Sequence, residues 1–332
     1  MNLSLDADDH AVVDAVRASL ADRLPAGVWS APGADILALE RDAAGVAARL
    51  GWIGAGCDER IGGSAQGIIQ ETLIQIECGR GLAPVSIAAG MVAAYAAEHA
   101  GAPDLARQLI DGRAIAALAV PQRSGWAALA GGAADLAVEA DGSGLRLHQI
   151  SHSILSPGFD AAASVALLPD GPNALLSCAG AYHHHRLQLL LAGYLVGMAE
   201  AVLAQSVSYA TLRVQFGRPI GAFQGVSHRC ADMAMRCARA RAGVLYAAAA
   251  RAGDARDTDV ARHAAVVLAS EAARENARAN IFIHGAMGVT AENAAHLYLR
   301  RALVLIEALG GWSAMRERAA HGHDGDPEED TP

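Results

Sequence analysis

The chain has 332 residues, 53% of them hydrophobic, with a formal net charge of -9 and only 4% aromatic side chains. That length and apolar content can bury a substantial core over two or three subdomains. The acidic balance, with no basic stripe, excludes general nucleic-acid binding, which needs concentrated cationic surface to displace counterions from phosphates.

The N-terminus MNLSLDADDHAVV is acidic and lacks the basic-then-apolar order of a signal peptide. Residues 9–24 and 35–50 carry helical periodicity, with Pro25, Gly27, Pro32 and Gly33 between them. The pattern continues over 68–78 and 86–100, is broken at Gly79, Gly81 and Pro84, and ends in a short helix closing at Ile110. Residues 1–112 therefore read as an antiparallel helical domain. Over 113–181 the texture changes to short apolar runs, such as 114–120 and 163–168, separated by glycine pairs and proline. A small β domain is expected there.

His183, His184 and His185 follow; adjacent side chains diverge and seldom converge on one metal ion, so they are expected in a solvated linker. Residues 187–204 are apolar enough to raise a membrane question, but Gln188, Tyr194 and Glu200 favour a buried bundle helix and no membrane span. Helices over 187–212, 226–251, 259–280 and 294–309 complete a C-terminal four-helix bundle across 182–320. The acidic, proline-containing tail 321–332 is expected to be disordered. The fold class is mainly α: alanine, the best helix former, dominates, while the branched and aromatic residues that strands prefer are few. Five cysteines, Cys57, Cys78, Cys178, Cys230 and Cys237, form no CxxC pair, which points to a reducing cytoplasm and to neither a disulfide framework nor a zinc site.

Chemistry concentrates between the first two bundle helices. Arg213, Gln215, Phe216, Gly217 and Arg218 form a tight corner holding two guanidinium groups, an amide and one of the chain's four phenylalanines. A guanidinium fork suits a diphosphate and an aromatic ring suits a flat heterocycle. A helix-to-helix corner with solvated arginines is the plainer alternative.

The string RVQFGRPIGAFQ, followed after three residues by HRCADM, resembles the signature of the acyl-CoA dehydrogenase family, flavoproteins that desaturate acyl thioesters. The run IHGAMGVTAE at 283–292 resembles the family's glycine turn, and Leu50-Gly51-Trp52, Gly62-Gly63 and ECGRGLAP at 77–84 resemble motifs of its N-terminal helical domain. The likeness runs from about residue 10 to about residue 320. It is nearest to the branch associated with steroid side chains and other bulky thioesters. It implies an FAD cofactor held by Arg213, Gln215, Phe216, Gly217, Gln224, Gly285 and Gly288, each flavin being clamped between two subunits. It also implies an acyl-CoA substrate and an electron-transfer flavoprotein as acceptor. The middle domain is reduced: it is shorter than the family's and lacks that family's threonine-glutamate-proline and glycine-serine-aspartate steps.

The resemblance also exposes what is missing. The family removes the α proton with a glutamate, and the positions that correspond to its known placements hold Leu187, Tyr194 and Leu309, none of which ionises near neutral pH. Glu307 lies two residues from Leu309, about 200° away around a helix, and is the remaining acidic candidate. Phe282 stands where the family commonly has glutamine, and Ala286 replaces a glycine of the turn. The expected role is therefore the non-catalytic member of an α2β2 heterotetramer, completing the flavin site of a homologous subunit. Two alternatives stay open: an active homotetramer using Glu307, and a cofactor-free helical scaffold. Ala192, Gly193 and Gly197 are expected to leave room for a bulky acyl group.

Overall fold

Asp6 starts the first helix, α1 (Ala7–Arg23): its carboxylate accepts from the Asp9 amide while the Asp9 carboxylate accepts from the Asp6 amide, so two orphan donors are satisfied reciprocally. The computed structural model describes residues 5–31, 33–122, 125–168, 174–253, 255 and 257–321. Pro32 and, beyond its first residue, the tail expected at 321–332 lie outside the described residues. Asp35 caps α2 (Ile36–Arg49), and Pro103 opens α5 (Pro103–Ile110) at a position where its missing N–H costs nothing. Between them α3 (Ile68–Arg80) and α4 (Ser86–His99) are buried on nearly every face. Alanine at so many α4 positions lets neighbours approach from all sides, so no amphipathic stripe is needed.

Among the described residues the middle segment is one seven-stranded sheet, formed by β1 (Ala116–Pro121), β2 (Trp126–Leu129), β3 (Leu136–Asp141), β4 (Gly144–Gln149), β5 (Ile154–Ser156), β6 (Val165–Leu168) and β7 (Ala174–Ala179). The order is β5-β6-β2-β1-β3-β4-β7, antiparallel except where β1 meets β3. Alternation along the strands gives the sheet two apolar faces. Leu118, Leu129, Val138 and Leu147 join the main core, while Ala117, Ala128, Ala137 and Leu168 form a smaller cluster of their own.

The C-terminal part holds α6 (Tyr182–Leu212), α7 (Gln224–Ala252), α8 (Thr258–His284), α9 (Ala295–Ala308) and α10 (Trp312–His321). Three expectations are corrected here. The histidine run is not a solvated linker: α6 begins at Tyr182, and His183 and His185 are buried in its first turn. Gly193 and Gly197 do not leave room for an acyl group, because a Cβ on Gly193 would meet Thr72 O at 3.0 Å and one on Gly197 would meet Ile76 O at 1.7 Å. These glycines let α6 lie directly against the backbone of α3. The chain also forms α10 after Gly310 and Gly311, which its sequence pattern did not mark.

Among the described residues α6 alone is long and apolar enough to cross a membrane, and 83% of its most apolar window is buried inside the protein, as in a core helix. No group of three or more His, Cys, Asp or Glu among the described residues could hold a metal ion. We propose the division into 1–112, 113–181 and 182–320 on these bounds: α5 ends at Ile110, the sheet runs from Ala116 to Ala179, and α6 starts at Tyr182.

Candidate functional site

Two separate features carry the expected site residues. The first is a cleft of about 560 Å³ between the end of the middle sheet, the start of α6 and the end of α9. Leu187 and Leu309 both line it, so the fold brings together two positions that are far apart in sequence. Leu309 caps α9 where the chain turns at Gly310, φ +100°, and Gly311, φ +81°, and its carbonyl accepts from Arg318 of α10 at 3.0 Å. Glu307 lines the same cleft, is exposed and makes no ion pair among the described residues. Its carboxylate lies against the Gly311 turn.

The cleft's other carboxylates are spoken for. Glu139 accepts from Arg146 Nε at 2.9 Å and contacts His148 Nε2 at 2.7 Å, and the Arg146 guanidinium beside it holds it below the usual glutamate range. Asp141 is also paired with Arg146, at 2.9 Å. Neither Glu139 nor Trp126, which lines the same cleft, was singled out by sequence, because single residues in short strands carry no periodic signal.

Tyr194, the third position, is fully buried and points its hydroxyl at the Ala83 carbonyl, 2.6 Å away. Arg301 Nη1 donates to that hydroxyl at 2.7 Å, and Arg301 in turn pairs with buried Asp160. Burial pushes the Tyr194 phenol above its ordinary value, so this side chain is a neutral strut between the α3–α4 connection, α6, α9 and, through Arg301, the β5–β6 connection. Arg301 went unnoticed in sequence although a signal existed: it shares a helix face with Tyr298, Ala302 and Leu305, all buried, and an arginine there must find a partner inside. Glu200 lies six residues further along α6 and is ion-paired to Arg80 and Arg241.

The second feature is the end of the bundle where the two glycine-bearing corners meet. The RxQFG stretch is not a plain loop but a two-residue hairpin, with β8 (Val214–Gln215) paired to β9 (Arg218–Pro219). Phe216 at φ +51° and Gly217 at φ +77° supply the left-handed backbone such a hairpin needs, which is uncommon for an aromatic residue. Phe216 is 93% exposed, and Arg213 is exposed without an ion pair among the described residues. Gln215 and Gln224 are exposed as well, and Arg218 stacks over Phe223 at 4.2 Å. Gly285, at φ +62° and ψ -139°, ends α8 in a conformation suited to glycine, and Gly288 presses so close to Ile281 O that a Cβ would lie 2.7 Å from it. Around Gly217 and Gly285 an added Cβ would meet nothing within 4 Å, so both corners present open space beside exposed cation and ring. A diphosphate and a flat heterocycle fit that arrangement. None of these corner residues lines the cleft holding Leu187 and Leu309.

Residues 6–114 match the acyl-CoA dehydrogenase N-terminal domain and residues 180–321 match the acyl-CoA dehydrogenase C-terminal domain. The chain is 34% identical over 247 residues to the acyl-CoA dehydrogenase IpdE2 of Mycobacterium tuberculosis, a match covering 74% of each chain. It is 31% identical over 283 residues to the acyl-CoA dehydrogenase FadE34 of the same organism, covering 80% of this chain but only 39% of that longer one. In fold it is similar to the Tcur3481-Tcur3483 steroid ACAD, with TM-score 0.81, 23% identity and coverage of 95% and 97% of the two chains. It is equally similar to a chain of the ChsE4-ChsE5 complex from Mycobacterium tuberculosis, with TM-score 0.81, 20% identity and coverage of 98% and 100%.

Proposed function

Because the chain belongs to the acyl-CoA dehydrogenase family, we propose that it is a subunit of an FAD-dependent enzyme that desaturates a bulky, steroid-type acyl-CoA, and that it completes a homologous partner's flavin site without supplying the catalytic base. The observation that carries this reading is the pairing of Leu187 with Leu309 in one cleft, where a proton-abstracting carboxylate has to stand over the substrate's α carbon. Tyr194, locked to Ala83 and Arg301, offers no substitute. The exposed bundle end supports the partner role: Arg213 and the Gly285 and Gly288 backbone would meet the diphosphate, and Phe216 and Gln224 the neighbouring rings. Bound FAD supplies the acceptor for the hydride that leaves the β carbon.

A group as exposed as Phe216 is stable in water only at a cost in apolar area, and a second subunit would remove that cost. The ChsE4-ChsE5 neighbour is a complex of two chains and the Tcur3481-Tcur3483 neighbour is a steroid ACAD, which supports an unlike partner and a bulky substrate. An electron-transfer flavoprotein in the cytoplasm is the electron acceptor in this reading.

The chain expressed alone should then be colourless or inactive, and co-expression with a homologous subunit should give a yellow complex that oxidises acyl-CoA. One observation favours a second reading, an active homo-oligomer: Glu307 lines the cleft, unpaired among the described residues. Glu307→Gln separates the two. A general base contributes roughly 100- to 10,000-fold, so a loss of that size in the active complex sinks the partner reading, whereas a change within about twofold supports it.

A further inference from the structure

A second pocket, of about 310 Å³, lies where the start of α3 meets the first turn of α6 and the end of α7. Its walls include Gly67, Ile68, Tyr95, Tyr182, Arg186 and Arg251, and no residue assigned to the cleft or to the corners lines it. Arg186 is its centre. That side chain is only 6% exposed, stands 3.7 Å over the Tyr95 ring and forms an ion pair with the buried Glu71 carboxylate. Its Nε–H has no acceptor among the described residues. Leaving such a donor unmade is costly, and a charged donor more so.

Other donors converge on the same space. α3 begins at Gly67, whose amide donates to Gln70 Oε1 at 3.1 Å; the amides of the following first turn have no side-chain cap and no intrahelical acceptors, and carry the positive end of the helix dipole. The Tyr95 and Tyr182 hydroxyls are 3.0 Å apart; one donates to the other, and the second proton remains free for an outside acceptor. Arg251 stands 4.1 Å over the Tyr182 ring at the pocket mouth. Gly56 is what permits the arrangement, since a Cβ there would sit 2.2 Å from the Arg186 guanidinium and 2.5 Å from Glu71 Oε1. With Glu71 offsetting Arg186, the uncompensated charge among the described residues of the pocket is that of Arg251.

We propose that this pocket binds a small oxyanion, a carboxylate or phosphate group, held by Arg251, a tyrosine hydroxyl and the first-turn amides of α3, with the Arg186 guanidinium in its wall. The proposal is independent of the flavin reading. Bound there, the anion would bridge the N-terminal helices and the C-terminal bundle and so raise the stability of the whole chain by mass action.

The test is a thermal-shift titration of the full chain, together with any subunit that co-purifies, against sodium phosphate and separately sodium acetate, with ionic strength held constant by sodium chloride. A saturable rise in melting temperature with at least one anion is expected, and which anion works identifies the source of the group. Arg251→Gln and Tyr182→Phe sit at the exposed mouth and should each weaken that response, Arg251→Gln by about tenfold in half-saturating concentration. Arg186 is left in place, because removing it strands Glu71 in the interior. No saturable response to either anion, or a response unchanged in both variants, overturns the proposal.

Discussion

The Tyr209 ring stacks on the His284 imidazole with centroids 4.3 Å apart and planes 23° apart. Tyr209 lies four residues before Arg213 near the end of α6, and His284 is the last residue of α8, immediately before Gly285. The contact therefore fixes one glycine-bearing corner relative to the other, although 75 residues separate them in the chain. His284 is itself held, its Nδ1 lying 2.9 Å from the Asn280 carbonyl.

Tyr209→Ala should loosen that register without unfolding the bundle. The stack contributes about 0.5–1.5 kcal/mol beyond its buried area, small against the core but large for a shared binding surface. The assembled complex should retain its subunits yet lose flavin, read as a lower ratio of 450 nm to 280 nm absorbance. Equal flavin content in variant and parent would mean that the two corners do not act together.

The Tyr194 strut predicts two destabilisations of different size. Tyr194→Phe removes two buried hydrogen bonds and leaves the Ala83 carbonyl and Arg301 Nη1 only their longer bond to each other, at 3.3 Å, and should cost about 1–3 kcal/mol. Asp160→Asn removes the charge that compensates Arg301 and should cost about 3–5 kcal/mol. Urea unfolding measures both. If Tyr194→Phe were instead neutral in stability but strongly impaired in turnover, the hydroxyl would belong to the chemistry and not to the scaffold.

Gly197 predicts the outcome of the smallest possible substitution. A single methyl at that position has the Ile76 carbonyl oxygen 1.7 Å and the Arg80 amide nitrogen 2.9 Å away, so α6 and α3 would have to separate. Gly197→Ala should cost at least about 3 kcal/mol and yield little soluble protein. A well-folded variant with altered substrate preference would instead restore the expectation that these glycines line an acyl cavity.

The outline of the fold was legible in sequence wherever periodicity or a breaker residue spoke. The Gly79 to Pro84 break, the helical periodicity and the short apolar runs of the middle segment marked element types because each acts locally. What the sequence did not reveal depended on distant contacts. The histidine run was misjudged since its burial comes from α4: Tyr95 and His99 pack against His183, and nothing in residues 182–185 announces that. Gly193 and Gly197 look permissive as letters and prove obstructive only once α3 is laid against them. Of the candidate site, Leu187 and Leu309 were pointed to by the family resemblance, but that they share a cleft with Glu307 required the turn at Gly310 and Gly311. The Arg301 node needed four separate elements at once, which no window of sequence contains.

His183 makes stability depend on acidity in a defined window. Burial is the largest cause, and the nearby charges of His99, Arg186 and Arg251 add to it, bringing its pKa from 6.5 down to about 4. Between those values the unfolded chain binds a proton at this ring and the folded protein does not, so stability falls as pH drops from 6.5 towards 4 and this contribution is lost no further below it. The cluster lies close to the surface, since Tyr182 beside it is 43% exposed, and solvent screening leaves a loss of about 2 kcal/mol. Glu71 and Glu40, whose pKa values burial raises, oppose this trend, but they do so equally in any variant at residue 183. His183→Phe keeps an aromatic ring against Tyr95 and cannot protonate. Urea denaturation at pH 6.5 and at pH 4.5 should therefore show a smaller drop in the variant than in the parent, and equal drops would mean that His183 stays accessible to protons in the folded chain.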